Sequence, residues 1–330
     1  MTRLLINVVK NSKIKLILSP LAGVTDRAFR SICNNYSLDF AYTEMVSAKG
    51  LLFSDKVTEE LLSRFPGEEN LGVQIFGSEP EVMAEITRKL TNERPYFKSI
   101  DINMGCPAKK IVKNGEGSAL MKNPDLVKRI IFSVNEATDL PVSAKFRLGF
   151  DDQSINYLEI GKICQDMGCS HVTLHGRTRE QMYGGKADWD AIKKLREHLE
   201  IEVVGNGDIF TPEDALKMAD YTGVSSVAIA RGAMGNPFIF QQIKDLQESG
   251  GYKEPSIDLV VDTILEHFAL LKTFKSERIA INEMRKHIAW YLKGFRGSNQ
   301  LKNKINKTTD INMIFNLLDD FREENKLDAR

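Results

Sequence analysis

The chain has 330 residues, 42% apolar and 27% charged, ordinary values for a globular protein that exclude a disordered chain, a collagen-like repeat and a disulfide-stapled scaffold. Lys and Arg balance Asp and Glu at 45 each, so no whole-chain charge points to nucleic acid or an anionic membrane. The four cysteines, Cys33, Cys106, Cys164 and Cys169, form no C-x-x-C pair and read as free thiols of a reducing compartment.

At roughly 100–200 residues per domain the length suits about two domains. The N-terminal MTRLLINVVKNSK has no long apolar run ending in a small-residue cleavage site. No stretch reaches the about 18 uninterrupted apolar residues of a membrane span, and a cytoplasmic protein is expected.

Eight short runs rich in Ile, Val, Leu and aromatics follow, at residues 16–19, 40–43, 72–75, 99–102, 142–146, 171–174, 202–204 and 226–229. Each ends in a polar or Gly-rich group, the pattern of buried strands. Helical stretches lie between them, at 79–91, 123–138, 155–167 and 211–219, three of them opened by a Pro near an acidic residue. Strand and helix alternating eight times over about 240 residues predict a parallel (β/α)8 TIM barrel. An open doubly wound sheet is the competing architecture, but its G-x-G-x-x-G turn is absent after the first strand.

Residues 247–255, QESGGYKEP, form a connector, and no β-like run follows. Apolar residues at helical spacing predict helices over 258–272, over 280–295 and from Thr309, which is placed to cap the last one. The expected division is 1–245 for the barrel and 246–330 for a small C-terminal helical bundle.

A barrel of this kind carries its chemistry where strands end. Those positions hold Pro20-Leu21-Ala22-Gly23, Glu44, Gln74, Asn103 with Cys106, Lys145 with Arg147, His175 with Arg177, Asn206-Gly207-Asp208 and Ala230-Arg231-Gly232. The last two loops, GNGDI and ARGAMGNP, are glycine-bearing loops at the usual phosphate site of the barrel, and Arg231 adds a planar donor. Lys145 and Arg147 leave one face of their strand, either as fixed cations in the barrel mouth or as solvated charges at a strand end. Gln74 and Asn103 offer amides suited to the imide edge of a flavin or a uracil.

Cys106 sits in the tight turn Asn103-Met104-Gly105-Cys106-Pro107. A thiol with a reference pKa near 8.5 suits proton donation to carbon as well as nucleophilic attack. Cys33, Cys164 and Cys169 read as small core residues. His175 is the only histidine at a strand end; a lone histidine is more often structural, but Gly176-Arg177-Thr178 after it points to a ligand site. No His, Asp or Glu cluster has metal-ligand spacing.

Seven segments together, PLAGVTD (20–26), GVQIFGS (72–78), DINMGCP (101–107), KFRLG (145–149), HGRTR (175–179), GNGDI (205–209) and ARGAMGNPFIF (230–240), resemble the motif series of the tRNA-dihydrouridine synthases, most closely the bacterial subgroup often named B. The resemblance implies an FMN-dependent enzyme that reduces particular uridines of tRNA to 5,6-dihydrouridine with NADPH, NADH being the other possible donor. By motif, Pro20, Leu21, Ala22, Gln74, Lys145 and His175 would contact the flavin, and Asn206, Gly207, Asp208, Ala230 and Arg231 its phosphate. Asn103, Arg147 and Arg177 would hold substrate, with Cys106 as proton donor. Leu21 stands where Met is usual and Ala230 where Gly is usual. A monomer without metal or membrane partner is expected.

Charge in the helical segment fits such a substrate. From Lys275 to Lys307 nine basic residues face only Glu277 and Glu283, a net of about +7 that the remainder of the chain cancels. On a continuous helix Arg278, Arg285 and Arg296 would share a face, with Lys286 beside them, and Arg278, Arg285 and Lys286 are the expected tRNA contacts. A solvated helix surface is the alternative. Two other activities remain open on sequence: a small-molecule flavin oxidoreductase similar to the dihydroorotate dehydrogenases, and a non-catalytic RNA-binding barrel.

Overall fold

The computed structural model describes residues 13–53 and 55–328, so the reading of the N-terminal segment lies, Lys13 apart, outside the described residues. β1 (Lys15–Leu18) pairs in parallel with β2 (Phe40–Tyr42) on one side and with β9 (Ser226–Ile229) on the other. β2 and the two-residue β3 (Val46–Ser47) both pair with β4 (Leu71–Phe76), so they act as one strand broken at residues 43–45. β4, β5 (Ile100–Met104), β6 (Val142–Arg147), β7 (His171–His175) and β8 (Glu202–Asn206) then pair successively, and β8 pairs with β9. The ring closes, and the barrel expected from the alternation is present.

Alternate residues of each strand face different surroundings. Leu16, Leu18, Val203, Val227 and Ile229 join the large apolar cluster that the strands share with the helices, whereas Ile17, Val204 and Ala228 pack with Tyr42 and Phe40 as a plug inside the ring. Burial of each such Leu, Ile or Val side chain contributes about 1.5–3 kcal/mol. On β4, β5 and β6 the inward positions are instead Gln74, Asp101, Asn103, Ser143, Lys145 and Arg147. The barrel interior is therefore apolar on one side and hydrogen-bonded on the other.

The helices of the barrel are α1 (Arg27–Asn34), α2 (Ala48–Leu52), α3 (Lys56–Leu61), α4 (Pro80–Glu93), α5 (Lys109–Lys113), α6 (Pro124–Asn135), α7 (Tyr157–Asp166), α8 (Trp189–His198), α9 (Pro212–Thr222) and α10 (Ile239–Ser249). Their starts follow local chemistry. Thr211 and Asp214 form a reciprocal capping box on α9 with Pro212 behind it, and the Asn123 side chain caps α6. Cys33, Cys164 and Cys169 are buried, as expected, and Cys106 is half-exposed.

The C-terminal helices are α11 (Ile257–Lys272), α12 (Glu277–Tyr291), α13 (Ser298–Lys307) and α14 (Ile311–Asp328). They share their own apolar cluster, which also takes in Ala28 of α1 and Phe238 from the barrel. Among the described residues no helix is long and apolar enough to cross a membrane.

Two expectations need correction here. The helix over 280–295 stops at Tyr291, because Gly294 and Gly297 take positive φ, and α13 is an additional helix. The last helix is capped by Asp310, whose Oδ1 accepts from the N–H groups of Asn312 and Met313 at 2.8 and 3.4 Å. A carboxylate there also meets the positive end of the helix dipole, which the Thr309 hydroxyl cannot.

Candidate active site

One cavity opens at the C-terminal ends of the strands, and every strand position contributes to its wall. Pro20, Leu21 and Ala22 follow β1, Met45 follows β2, Gln74 lies on β4, and Asn103 and Cys106 come from β5 and its turn. Lys145 and Arg147 of β6, His175 of β7, Asn206, Gly207 and Asp208 from β8, and Ala230 and Arg231 after β9 complete it. The strand-end residues singled out from sequence thus meet in one place, except Gly23, Glu44 and Arg177. Glu44 holds the loop after β1 by accepting from the Gly23 N–H.

The Cys106 turn is pinned from both sides. Asn103 Oδ1 accepts from the N–H groups of Gly105 and Cys106 at 3.1 and 2.9 Å, and Ser118 donates from both its N–H and its hydroxyl to the Cys106 carbonyl. Burial pushes the Cys106 thiol up from its ordinary pKa, against the Ala108 N–H and the cations of Arg147 and Lys145. The thiol therefore carries its proton at neutral pH. That suits an acid more than a nucleophile.

The cations around it are shaped by burial. Desolvation and the neighbouring Arg147 lower Lys145 to about 8, with Asp101 and Cys106 opposing. The Arg147 guanidinium, lowered to about 10 chiefly by burial, donates to the carbonyls of Gly105, Thr178 and Met182 at 2.7, 2.9 and 2.9 Å. It is a clamp between the cysteine turn and the loop after β7. His175 is held well below its ordinary value by burial and then by the cations of Lys145, Arg147, Arg177 and Arg231, so it is a neutral imidazole.

The far corner is built around Asp208. This residue sits at φ 55 beside Gly207 at φ 129, and its carboxylate accepts from Arg177 at 2.8 Å, from Arg231 at 3.2 Å and from the Ala187 N–H at 2.7 Å. Gly232 lets the two loops close on each other, since a Cβ there would lie 2.1 Å from the Ile209 carbonyl oxygen. The Asp208 carboxylate itself is no anion ligand. It aims Arg231 at the cavity.

Arg177, expected to hold substrate, is placed elsewhere. It is 1% exposed, and its guanidinium bonds the Gly184 and Gly185 carbonyls together with Asp208. The end of the strand explains this: β7 stops at His175, so the alternation that would set Arg177 beside it no longer applies, and Arg177 belongs to the returning loop.

Two of the three cations expected on the helical segment are also engaged within the chain. Arg285 donates to Asn282 and to the Thr308 carbonyl, bridging α12 to the end of α13. Lys286 donates to the Gly23 carbonyl and so ties α12 to the cavity wall. Arg278 is exposed at the start of α12, as are Lys293, Arg296, Lys304 and Lys307. Because α12 ends at Tyr291, Arg296 is not on the helix face of Arg278 and Arg285.

Sequence reading missed Tyr183. It lines the cavity from the loop after β7, with Arg231 4.9 Å and Arg147 5.9 Å from its ring. Phe210, 5.3 Å from Arg231, stands beside it on the rim. Neither lies at a strand end, and the loop that carries Tyr183 is held by Arg147 on the Met182 carbonyl and by Arg177 on the Gly184 and Gly185 carbonyls.

Comparison with known proteins places this geometry. The family profile described as dihydrouridine synthase (Dus) matches residues 17–325. The tRNA-dihydrouridine synthase B of Shewanella oneidensis is 42% identical over 282 residues, covering 85% of this chain and 87% of that protein. The tRNA-dihydrouridine synthase B of Vibrio vulnificus is 39% identical over 296 residues, 89% of this chain and 91% of that one. A protein of Synechocystis named probable tRNA-dihydrouridine synthase 1 is 37% identical over 92% of this chain and 85% of its own length. The solved structure of histamine dehydrogenase from Rhizobium sp. 4-9 matches with TM-score 0.50 at 12% identity, over 78% of this chain and 49% of that one; at such distance the likeness is one of fold. With a match over nearly its whole length and relatives of this similarity, the chain belongs to the dihydrouridine synthase family.

Proposed function

We propose that this enzyme is a tRNA-dihydrouridine synthase: it holds FMN in the strand-end cavity and reduces a uridine of tRNA to 5,6-dihydrouridine, with NADPH, or NADH in its place, as reductant. The observation that carries the reading is the protonated Cys106 thiol, rigidly mounted over a cavity rich in hydrogen-bond donors.

The donor set fits a flavin mononucleotide. Arg231 and the glycine loops 205–209 and 230–235 offer a cationic, close-approach corner for the phosphate. Gln74, Lys145 and His175 offer donors to a ring system, while Pro20, Leu21 and Ala22 supply an apolar wall. The one carboxylate on the wall, Asp208, is already paired. FMN held there would supply hydride chemistry at uracil C6, with the nicotinamide as the source of the electrons.

The protein's own part is to bind and to protonate. A uridine must leave its stack to reach the cavity. As C6 gains the hydride, negative charge develops over C5 and O4, and the Lys145 ammonium, the Arg147 guanidinium and the Asn103 amide stabilise it. Cys106 gives its proton to C5, which completes the addition of two hydrogens across the C5–C6 double bond, and the thiolate is reprotonated from solvent. Residues 1–245 would carry this chemistry, and 246–330 would dock tRNA through Arg278, Lys293, Lys304 and Lys307, a contact that weakens with salt. A monomer acting in the cytoplasm completes the proposal.

The test uses purified protein, NADPH and tRNA lacking dihydrouridine, read by mass spectrometry for a gain of two hydrogens at a mapped position. The wild type is expected to form the product. Cys106→Ala is expected to keep bound FMN and its bleaching by NADPH while losing most product. Flavin bleaching with no change in tRNA would favour a small-molecule oxidoreductase and sink this reading.

A further inference from the structure

Below the cavity a chain of buried polar groups runs from Asn103 and Gln74 to Asp101, Ser143, Tyr42 and His171, the last four of which the chemistry above does not use. Asn103 Nδ2 donates to Gln74 Oε1 at 2.8 Å, Gln74 Nε2 donates to Asp101 Oδ2 at 2.7 Å, and the Ser143 hydroxyl donates to Asp101 Oδ1 at 2.6 Å. Ser143 and His171 both lie within hydrogen-bonding reach of the Tyr42 hydroxyl, at 3.4 and 3.0 Å. Gln74, Asp101 and Ser143 are at most 1% exposed.

The direction of this chain is fixed at its top and at its bottom. Backbone N–H groups only donate, so the Asn103 atom that meets the Gly105 and Cys106 N–H groups has to be Oδ1. Its Nδ2 then faces Gln74, which must answer with Oε1. Gln74 Nε2 is left needing an acceptor in the barrel interior, and a carboxylate at 101 is a group that can only accept there.

Each amide nitrogen carries two hydrogens, and the chain uses one of each. Both Gln74 and Asn103 line the cavity. The remaining hydrogens are the ones they can offer to a ligand.

We propose that Asp101 is a positioning residue: by accepting from Gln74 Nε2 it holds Gln74 in the direction that Asn103, itself set by the Cys106 turn, requires, so that both amides meet the bound ring systems as donors. The inference rests on the flavin and uridine reading above, whose ring carbonyls are the acceptors such donors require. Its acidity is consistent with the part: burial raises Asp101 to about 6, against the bonds from Ser143 and Gln74 and the charge of Lys145, so the carboxylate is mostly ionised at neutral pH. Inverting Gln74 would set its oxygen against Asp101 and its nitrogen against Asn103 Nδ2. A buried amide pays heavily for two such mismatches.

The test is a double-mutant cycle read as FMN affinity of the apoprotein, by quenching of flavin fluorescence, with thermal melts by circular dichroism as a check on folding. Asp101→Asn can keep the direction, since its Oδ1 can face Gln74 and its Nδ2 can face the Ser143 hydroxyl, and affinity is expected within about threefold of wild type. Asp101→Leu removes the acceptor and is expected to weaken binding about tenfold or more in the wild-type background. In the Gln74→Met background, where no amide remains to direct, it is expected to add less than about twofold. Equal losses in both backgrounds, no loss in either, or an Asn variant as weak as the Leu variant would overturn the assignment. Asp101→Ala replaces Leu if the latter lacks a cooperative melt, and the isosteric Asn variant stays decisive: an affinity about tenfold down with an intact melt refutes it. Wild-type protein that binds FMN yet leaves tRNA unreduced would fail the activity proposed above without bearing on this cycle, which reads affinity alone.

Discussion

Arg147 Nε donates to the Gly105 carbonyl at 2.7 Å, tying the cation at the end of β6 to the turn that carries Cys106. The same guanidinium reaches two further carbonyls, of Thr178 and Met182. Its planar fork makes three contacts that a single ammonium cannot reproduce. Arg147→Lys keeps the charge and breaks the clamp, and turnover on tRNA is expected to fall about 100-fold with FMN still bound. Turnover within a few-fold of wild type would show that charge alone matters at this position.

Under the proposed mechanism Lys145 is expected to set an alkaline limit on the rate. Its folded-state value is lowered to about 8, so the ammonium that faces the developing negative charge is present below that pH and is lost as pH rises through it. The Cys106 thiol, whose pKa is raised, keeps its proton over the same interval, and His175 is neutral throughout. The pH–rate profile is expected to be level near neutrality and to fall above about pH 8. In Lys145→Arg the limb should move upward even if the rate itself is lower, because a guanidinium stays charged. An unmoved limb would assign the titration to another group.

Two buried histidines lie where the helices dock on the barrel. His267 and His287 have ring centroids 4.6 Å apart, and the ring of Phe29 of α1 is 5.7 and 5.6 Å from them. Burial lowers His267 to about 3, and burial, with His267 and Lys286 nearby, holds His287 well below its ordinary value. Between pH 6.5 and about 3 the unfolded chain binds a proton at His267 that the folded chain refuses. Stability therefore falls as pH falls through that window, by about 1.4 kcal/mol per unit for each such imidazole, or about 2 kcal/mol at pH 5. Asp101, raised to about 6, acts with the opposite sign between 3.8 and that value, so the reading is a difference. Denaturant melts at pH 7 and pH 5 are expected to show a smaller acid loss in His267→Gln than in the parent. Equal losses would remove His267 from the acid response.

Gly235 measures how closely barrel and bundle approach. It sits at φ +69, and a Cβ there would lie 2.3 Å from the Trp290 carbonyl carbon and 2.5 Å from the Tyr291 nitrogen, backbone atoms that cannot rotate away. Gly235→Ala is expected to cost about 1–3 kcal/mol or more and to lower the melting temperature by several degrees. Gly251, which has open space around it, is the control: alanine there is expected to be silent. A silent Gly235→Ala would mean that α12 can withdraw without cost.

Much of the barrel was legible because its strands are β-branched runs that end in unlike residues. Reading those ends assembled most of the cavity wall before any coordinates. The buried chain from Asn103 to Tyr42 was not legible, since Asp101 and Ser143 read as breaks in apolar runs, and only the register of β5 against β6 sets Asp101 opposite Ser143. Charge counting left unseen the carbonyls of Thr308 and Gly23 that Arg285 and Lys286 bond, because a count sees opposing charges only. α13 was hidden by composition: in SNQLKNKINK only Leu301 and Ile305 mark an apolar face.

Gly23 has its N–H on Glu44 of the barrel and its carbonyl on Lys286 of the bundle, three residues or fewer from the Pro20, Leu21 and Ala22 wall. Ala28 and Phe238 belong to the bundle's apolar cluster in the same way. The two parts are therefore not exchangeable cassettes. A barrel cut free at residue 256 would lose one of the fastenings of its own cavity wall, and a foreign bundle grafted onto it would have to restore a lysine at that spot to replace that fastening.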